Sequence, residues 1–175
     1  GATLGALASR LSAVDAGERA AAKVASWNLR WLRDPTADQA ARKRDMVRRW
    51  LGTHRVVLLQ ETHWTEADAA LWRAIFPAAT VCASPAGVGP RGGPQGGVVA
   101  LLPHGFELVG MEVLVPGCVL AVTASRDGAE HRFVSVYLPP PRRSQVIEAL
   151  AELPPRRTGA YVTGDINRVA GGPRG

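Results

Sequence analysis

Three short stretches of the chain pass abruptly from apolar residues to oxygen-bearing side chains. Val56-Val57-Leu58-Leu59 gives way to Gln60-Glu61-Thr62, Lys23-Val24-Ala25-Ser26-Trp27 closes on Asn28, and Ala160-Tyr161-Val162-Thr163-Gly164 closes on Asp165 and, after Ile166, on Asn167. Four consecutive apolar residues, two of them β-branched, are what a strand buried on both faces requires, so the polar residues that follow lie at its carboxyl edge. Ligands of open α/β sheets collect beyond that edge. A single strand-end glutamate reads as readily as a solvated residue or an arginine's partner; three such ends in one chain point to a site.

The set is rich in oxygen and has no soft ligand, which suits magnesium or manganese. Mg²⁺ takes octahedral oxygen coordination, keeps several waters, and is commonly held by one or two carboxylates plus a substrate phosphate. Glu61 is the candidate metal ligand. Asp165 could orient a water as general base, and Asn167 could hold that water or a phosphate oxygen. Tyr137, at the end of Phe133-Val134-Ser135-Val136, could donate a hydrogen bond or proton to a crowded transition state. His63 and Arg30 are candidate substrate contacts, although a lone histidine after a strand is also an ordinary surface residue.

These residues need a frame. The spacing predicts a strand from Val24 to about Leu29, a helix from about Ala37 to Leu51 and a second strand at Val56. Thr36 and Gln39 are spaced as in a capping box, and Ala40, Val47, Trp50 and Leu51 form the helix's inward stripe. Strand, helix, strand implies a right-handed crossover and a parallel pair that carries Asn28 and Glu61 side by side. A capped helix from Thr65 to about Phe76 follows, stopped by Pro77. The glycine- and proline-rich stretch from Pro85 to Gly97 matches no phosphate-binding loop and is expected to be irregular and mobile. Four strands come next, near Val98–Leu102, Phe106–Val115, Cys118–Ser125 and His131–Leu138, the last two joined through Asp127-Gly128. Ser144 is placed to cap a short helix to about Leu153 before the final strand.

Composition bounds the class. At 175 residues, with 46% hydrophobic and 21% charged residues, the chain is long enough for one domain with a sizeable core. No run approaches about 20 apolar residues, so no membrane span is expected. Cys82 and Cys118 lie inside apolar segments and read as small buried hydrophobes rather than a disulfide or metal pair. No secretory signal is evident, and the compartment and oligomeric state are left open. The net charge of +6 comes largely from arginine. That balance fits a polyanionic partner, nucleic acid above all, and equally a compositional bias of the source.

Trp27-Asn28, Gln60-Glu61-Thr62, Gly96-Gly97-Val98, Val136-Tyr137-Leu138-Pro139 and Gly164-Asp165-Ile166-Asn167 occur in an order and spacing that resembles the endonuclease/exonuclease/phosphatase superfamily, with its DNase I-like fold. The resemblance implies a four-layer α/β sandwich, cleavage of phosphoesters dependent on a divalent metal, and site roles for Asn28, Glu61, Tyr137, Asp165 and Asn167. It assigns residues 23–167 to the domain, with 1–22 as a lead-in of near-helical spacing and 168–175 as a Gly-rich tail.

Members of the superfamily run on past Gly-Asp-x-Asn to a Ser-Asp-His ending, and none of His54, His63, His104 or His131 stands in that context. The resemblance therefore carries the expectation of an incomplete second sheet and of weak or absent activity. The basic balance resembles DNA-cleaving members, of the abasic-site or retroelement type. Phosphoinositide- and sphingomyelin-type phosphoesterases share the same motifs, and a non-catalytic relic or nucleic-acid-binding fragment is the alternative of another class.

Overall fold

The computed structural model describes residues 24–30 and 38–153 in full and residues 160–165 as main chain. The lead-in, Trp31, Thr36 of the expected capping box, Asn167 and the Gly-rich tail lie outside the described residues.

The continuous apolar run predicted as the central strand is β2 (Val56–Gln60), buried at every position. Alternation sends Val56 and Leu58 to one face and Val57 and Leu59 to the other, and both faces are covered. β1 (Val24–Asn28) pairs with β2 in parallel, with Val24 opposite Val56 and Asn28 opposite Gln60. The parallel pair expected from the strand–helix–strand order is present. On the far side of β2 lies β6 (Val98–Leu102), antiparallel to it, and then β3 (Thr80–Ser84), antiparallel to β6. Sheet one thus has the order β1-β2-β6-β3.

Two helices cover the outer face of this sheet. α1 (Asp38–Gly52) buries Ala40 and Val47 and lays Trp50 and Leu51 against the strands, with Trp27 edge-on to Trp50 at 5.6 Å between ring centres. The second helix is capped at Thr65 as expected, and its first turn is 3₁₀. A 3₁₀ turn occupies Glu66–Asp68 and the α-helix proper, α2, runs Ala69–Ile75. The Asp68 carboxylate accepts hydrogen bonds from the Thr65 N–H (2.9 Å) and the Thr65 hydroxyl (3.0 Å), which closes a tight three-residue turn before the helix starts. Trp72 and Phe76 then turn inward beside Trp64.

Sheet two is built from β7 (Glu107–Val115), β8 (Val119–Arg126), β9 (Ala129–Tyr137) and β10 (Ala160–Asp165), in the order β10-β9-β8-β7. The Asp127-Gly128 hairpin forms as read, both residues having positive φ (52° and 78°), as a two-residue turn that follows strand twist demands. β10 returns parallel to β9. α3 (Arg143–Ala151) covers the outer face with Val146 and Leu150. Ser144 is not its cap: Pro140–Arg142 form a 3₁₀ turn that leads straight into the helix, so Ser144 already lies in the first helical turn. The fixed φ of proline suits that entry.

The two sheets pack face to face through Val56, Leu58, Val98, Ala100 and Leu102 on one side and Leu120, Val122, Ala124 and Phe133 on the other. Each large apolar side chain buried here contributes about 1.5–3 kcal/mol. Helices on both outer faces complete a four-layer α/β sandwich. Cys82 and Cys118 are buried and free, and burial pushes the Cys82 thiol up to about 11. No helix among the described residues is long and apolar enough to cross a membrane.

The stretch from Pro85 to Gly97 departs from the expectation of irregular chain. It forms a small ribbon, β4 (Gly87–Val88) against β5 (Pro94–Gln95), closed by hydrogen bonds from Gly89 N–H to Gly93 O (2.7 Å) and from Gly92 N–H to Gly89 O (2.9 Å). The glycines that forbid a helix are the ones that allow so tight a reversal, and the ribbon delivers Gly96 and Gly97 into buried positions.

Candidate active site

Parallel pairing at the carboxyl end of β1 and β2 decides where the first two site residues stand. Asn28 is level with Gln60, and the Leu29 N–H donates to the Gln60 carbonyl at 2.9 Å, so the pairing continues one residue past the strand. The Asn28 side-chain oxygen accepts the Arg30 N–H at 3.1 Å, an Asx turn that swings Arg30 to the surface with φ 46°. Behind this turn the Lys43 ammonium donates to the Leu29 carbonyl. Burial holds the Lys43 pKa below the usual lysine range, and the Arg30 charge lowers it further.

Glu61 and His63 both adopt left-handed backbone, with φ 49° and 54°. For residues with a Cβ each such conformation costs on the order of 1–3 kcal/mol and persists only where the surroundings hold it. Here they do. Between the two, Thr62 is fully buried; its N–H donates to Gly97 O (3.2 Å) and the His63 N–H donates to Gly96 O (3.0 Å). Gly97 N–H in turn donates to Gly117 O (2.9 Å), and Gly117 N–H to the Ser84 hydroxyl (2.7 Å). A Cβ on Gly97 would lie 2.5 Å from Thr62 Oγ1, and one on Gly96 would lie 2.7 Å from Gly117 O. The Gly96-Gly97 pair is therefore the space into which the Glu61–His63 turn fits.

The same node reaches sheet two. Tyr137 N–H donates to Cys118 O at 2.7 Å, and the Tyr137 ring lies 3.6 Å from the position a Gly96 Cβ would take. In register with Tyr137 on the neighbouring parallel strand is Asp165, and β10 packs across the sandwich against β1 and β2. Asn28, Glu61, His63, Tyr137 and the main chain of Asp165 thus converge on one edge of the sandwich, with Arg30 at its rim. Asn167 lies outside the described residues. Gly117 and Ser84 were not singled out from the sequence; the Pro116-Gly117 turn between two strands was the available signal, and nothing local marks Ser84.

The electrostatics are mixed. Burial holds the His63 imidazole below the usual histidine range, while the Glu61 carboxylate beside it pulls the other way. Among the described residues no three His, Cys, Asp or Glu side chains cluster as a metal cage. The Glu61 carboxylate, one residue past the Gln60 that stands level with Asn28, and the Asn28 side-chain oxygen are hard oxygen donors. That set fits a cation of the magnesium type, which needs one or two carboxylates, and does not fit a closed zinc centre.

A four-layer sandwich with carboxylate, amide, histidine and tyrosine gathered at one strand edge defines a class, and comparison with known proteins names it. The model of the endonuclease/exonuclease/phosphatase family matches residues 25–174, and the chain belongs to this family. Its members are phosphoester hydrolases that generally use divalent metals. Solved structures of DNase I-like fold agree. TDP2 from C. elegans aligns with a TM-score of 0.53 at 17% identity, over 82% of this chain and 47% of that one. The AP endonuclease LMAP from Leishmania major gives 0.59 at 17% identity, over 83% and 55%. ANGEL2, a 2',3'-cyclic phosphatase, gives 0.55 at 16% identity, over 82% and 52%. The chain spans about half the length of these structures. No curated protein sequence matches it significantly.

Proposed function

We propose that this chain carries the catalytic edge of a divalent-metal-dependent phosphodiesterase that cuts nucleic acid, DNA foremost, with a nicking endonuclease as the specific activity. The observation that carries the reading is the strained Glu61–His63 turn, locked by Gly96-Gly97 beside Asn28 and Tyr137. Two left-handed residues flank the buried Thr62 there, and strained backbone of this kind is commonly kept at functional sites.

In this reading Glu61 would hold Mg²⁺ or Mn²⁺, with the Asn28 amide alongside. The ion would polarise a phosphoryl oxygen and offset charge that develops there. Asp165 takes a proton from the attacking water as general base, Asn167 holds that water or a phosphate oxygen, and Tyr137 donates a hydrogen bond to the crowded phosphorus centre. Arg30 and His63 contact the substrate at the rim, where a guanidinium suits bidentate phosphate contact. Support for nucleic acid comes from the net charge of +6 and from similar structures that include an AP endonuclease and a D. rerio TDP2 complexed with a single-strand DNA product.

The test is nicking of supercoiled plasmid with Mg²⁺ or Mn²⁺. Glu61→Gln and Asp165→Asn should each lower the rate by about 10²–10⁴. Activity that survives both substitutions, or cleavage of phosphoinositides in preference to DNA, would overturn the assignment. Duplex binding should weaken linearly in log–log form as salt rises, with a slope set by the phosphates neutralised.

A further inference from the structure

Behind the candidate site, the interior of the sandwich is not wholly apolar. Gln60, 1% exposed, extends its side chain from β2 into the space between the sheets and donates from Nε2 to Ser135 Oγ on β9 at 3.0 Å and to Ser26 Oγ on β1 at 3.2 Å. Ser135, fully buried, donates its own hydroxyl proton to the Leu59 carbonyl at 3.2 Å, back on β2. Ser26 Oγ lies 3.5 Å from Gln60 Oε1. Because the single Ser135 proton is used on Leu59, its oxygen can only accept, which fixes the Gln60 amide with its nitrogen toward sheet two.

Among the described residues, most of the other contacts between the sheets are hydrocarbon, with the Gly117 N–H to Ser84 hydroxyl bond as the further polar link. Contacts such as Leu58 and Val98 against Leu120 and Phe133 are strong but non-directional, and they tolerate small slips between sheets. A buried amide hydrogen-bonded to both sheets does not. Such a link also adds little net stability over an apolar side chain of the same shape, since the amide must be stripped of water. Its position is then informative. Gln60 directly precedes Glu61, and Ser135 precedes Tyr137 by two residues on the same inward face of β9.

We infer that Gln60 and Ser135 are positioning residues: their bond sets the spacing across the sandwich between Glu61 on sheet one and Tyr137 on sheet two, with Ser26 steadying the amide from the neighbouring strand. This rests on the reading of Glu61 and Tyr137 given above, and it concerns residues that touch neither metal nor substrate.

The experiment uses the full chain with 3-fluorotyrosine incorporated. Of its two tyrosines, Tyr161→Phe leaves Tyr137 as the single label. Without added metal, the ¹⁹F spectrum should show one narrow line. Gln60→Met, which keeps the length and removes the bonds, should split that line or broaden it roughly twofold or more as Tyr137 samples several positions. Over the same change Tm should shift by no more than about 4 °C. Ser135→Ala is the milder truncation if Gln60→Met folds poorly, and it should act in the same direction. The double variant should do no more than either single one, because both remove one link. An unchanged single line in both variants, or additive effects, would overturn the inference. Manganese titration of the same sample judges the metal reading separately: Mn²⁺ should broaden the Tyr137 line, and Glu61→Gln should abolish that. If Mn²⁺ has no effect while Gln60→Met still splits the metal-free line, the metal assignment falls and the positioning role stands.

Discussion

β2 and β7 are both strands made largely of Val and Leu, yet they live in opposite environments. Every residue of β2 is buried, and so is every residue of its neighbour β6. On β7, Leu108, Val109, Met111 and Val113 are 40 to 55% exposed. The register explains the contrast. Met111 stands opposite Val122 and Val113 opposite Leu120, so they share the inward-facing side of sheet two. Sheet one ends at β3, which packs only lightly against β7. Register shifts between Leu108 and Gly110 and between Val113 and Val115 also bend this edge strand. Apolar composition makes a strand; the number of layers above it decides what the strand contributes.

The largest effect that would break or sharpen this contrast is expected at Leu58, in the middle of β2 and fully buried between the sheets. Leu58→Ala should cost about 2–5 kcal/mol in urea unfolding, through lost transfer energy and the cavity left behind. A loss below about 1 kcal/mol would mean that this layer is far less tightly packed than its burial implies.

Cys82 on β3 belongs to the same inter-sheet core, and its thiol pKa, raised from 9.0 to about 11 by burial, makes stability depend on pH. The folded chain keeps the proton that the unfolded chain gives up, so the contribution is fully present below pH 9 and is lost as pH rises toward 11. Two pKa units correspond to about 2.7 kcal/mol. Comparing unfolding midpoints at pH 8 and 11 with those of Cys82→Ala isolates this group: the variant should lose less. A parallel loss in both proteins would show that Cys82 ionises as readily folded as unfolded.

A smaller cost is expected at the site edge. Gly97→Ala places a Cβ against Thr62 Oγ1 at a φ of 94°. The strained backbone alone should cost about 1–3 kcal/mol. The change should also release the Glu61–His63 turn, visible as faster amide exchange at Thr62 and His63. Unaltered protection there would separate Gly97 from the turn it is argued to hold.

Least affected should be β7. Met111→Lys places a charge on a half-exposed position and should change stability by less than about 0.5 kcal/mol. A cost comparable to that of Leu58→Ala would mean that Met111 is covered in solution, and the contrast between the two strands would collapse.

Much of this architecture was legible before any coordinates. Period and run length locate β2, β6, β8 and β9, the stripe of α1 and the Asp127-Gly128 turn, because each is settled within a window of a few residues. The same holds for the buried cysteines and for the strand ends that carry Asn28 and Glu61. The readings that failed were local ones in which a neighbouring contact won: Pro140 and Pro141 pre-empting Ser144, and the glycines before Val98 folding into a ribbon.

What the amino-acid sequence determined by itself is which segments are strands and helices and which polar residues end them, since hydrophobic period and turn chemistry are properties of neighbours along the chain. Only the tertiary structure decided that β6 inserts antiparallel between β2 and β3, that Glu61 and His63 take left-handed backbone against Gly96-Gly97, and that Gln60 meets Ser135 75 positions away. These depend on groups brought together by packing two sheets, and no local pattern encodes a distance between residues that share no turn or strand.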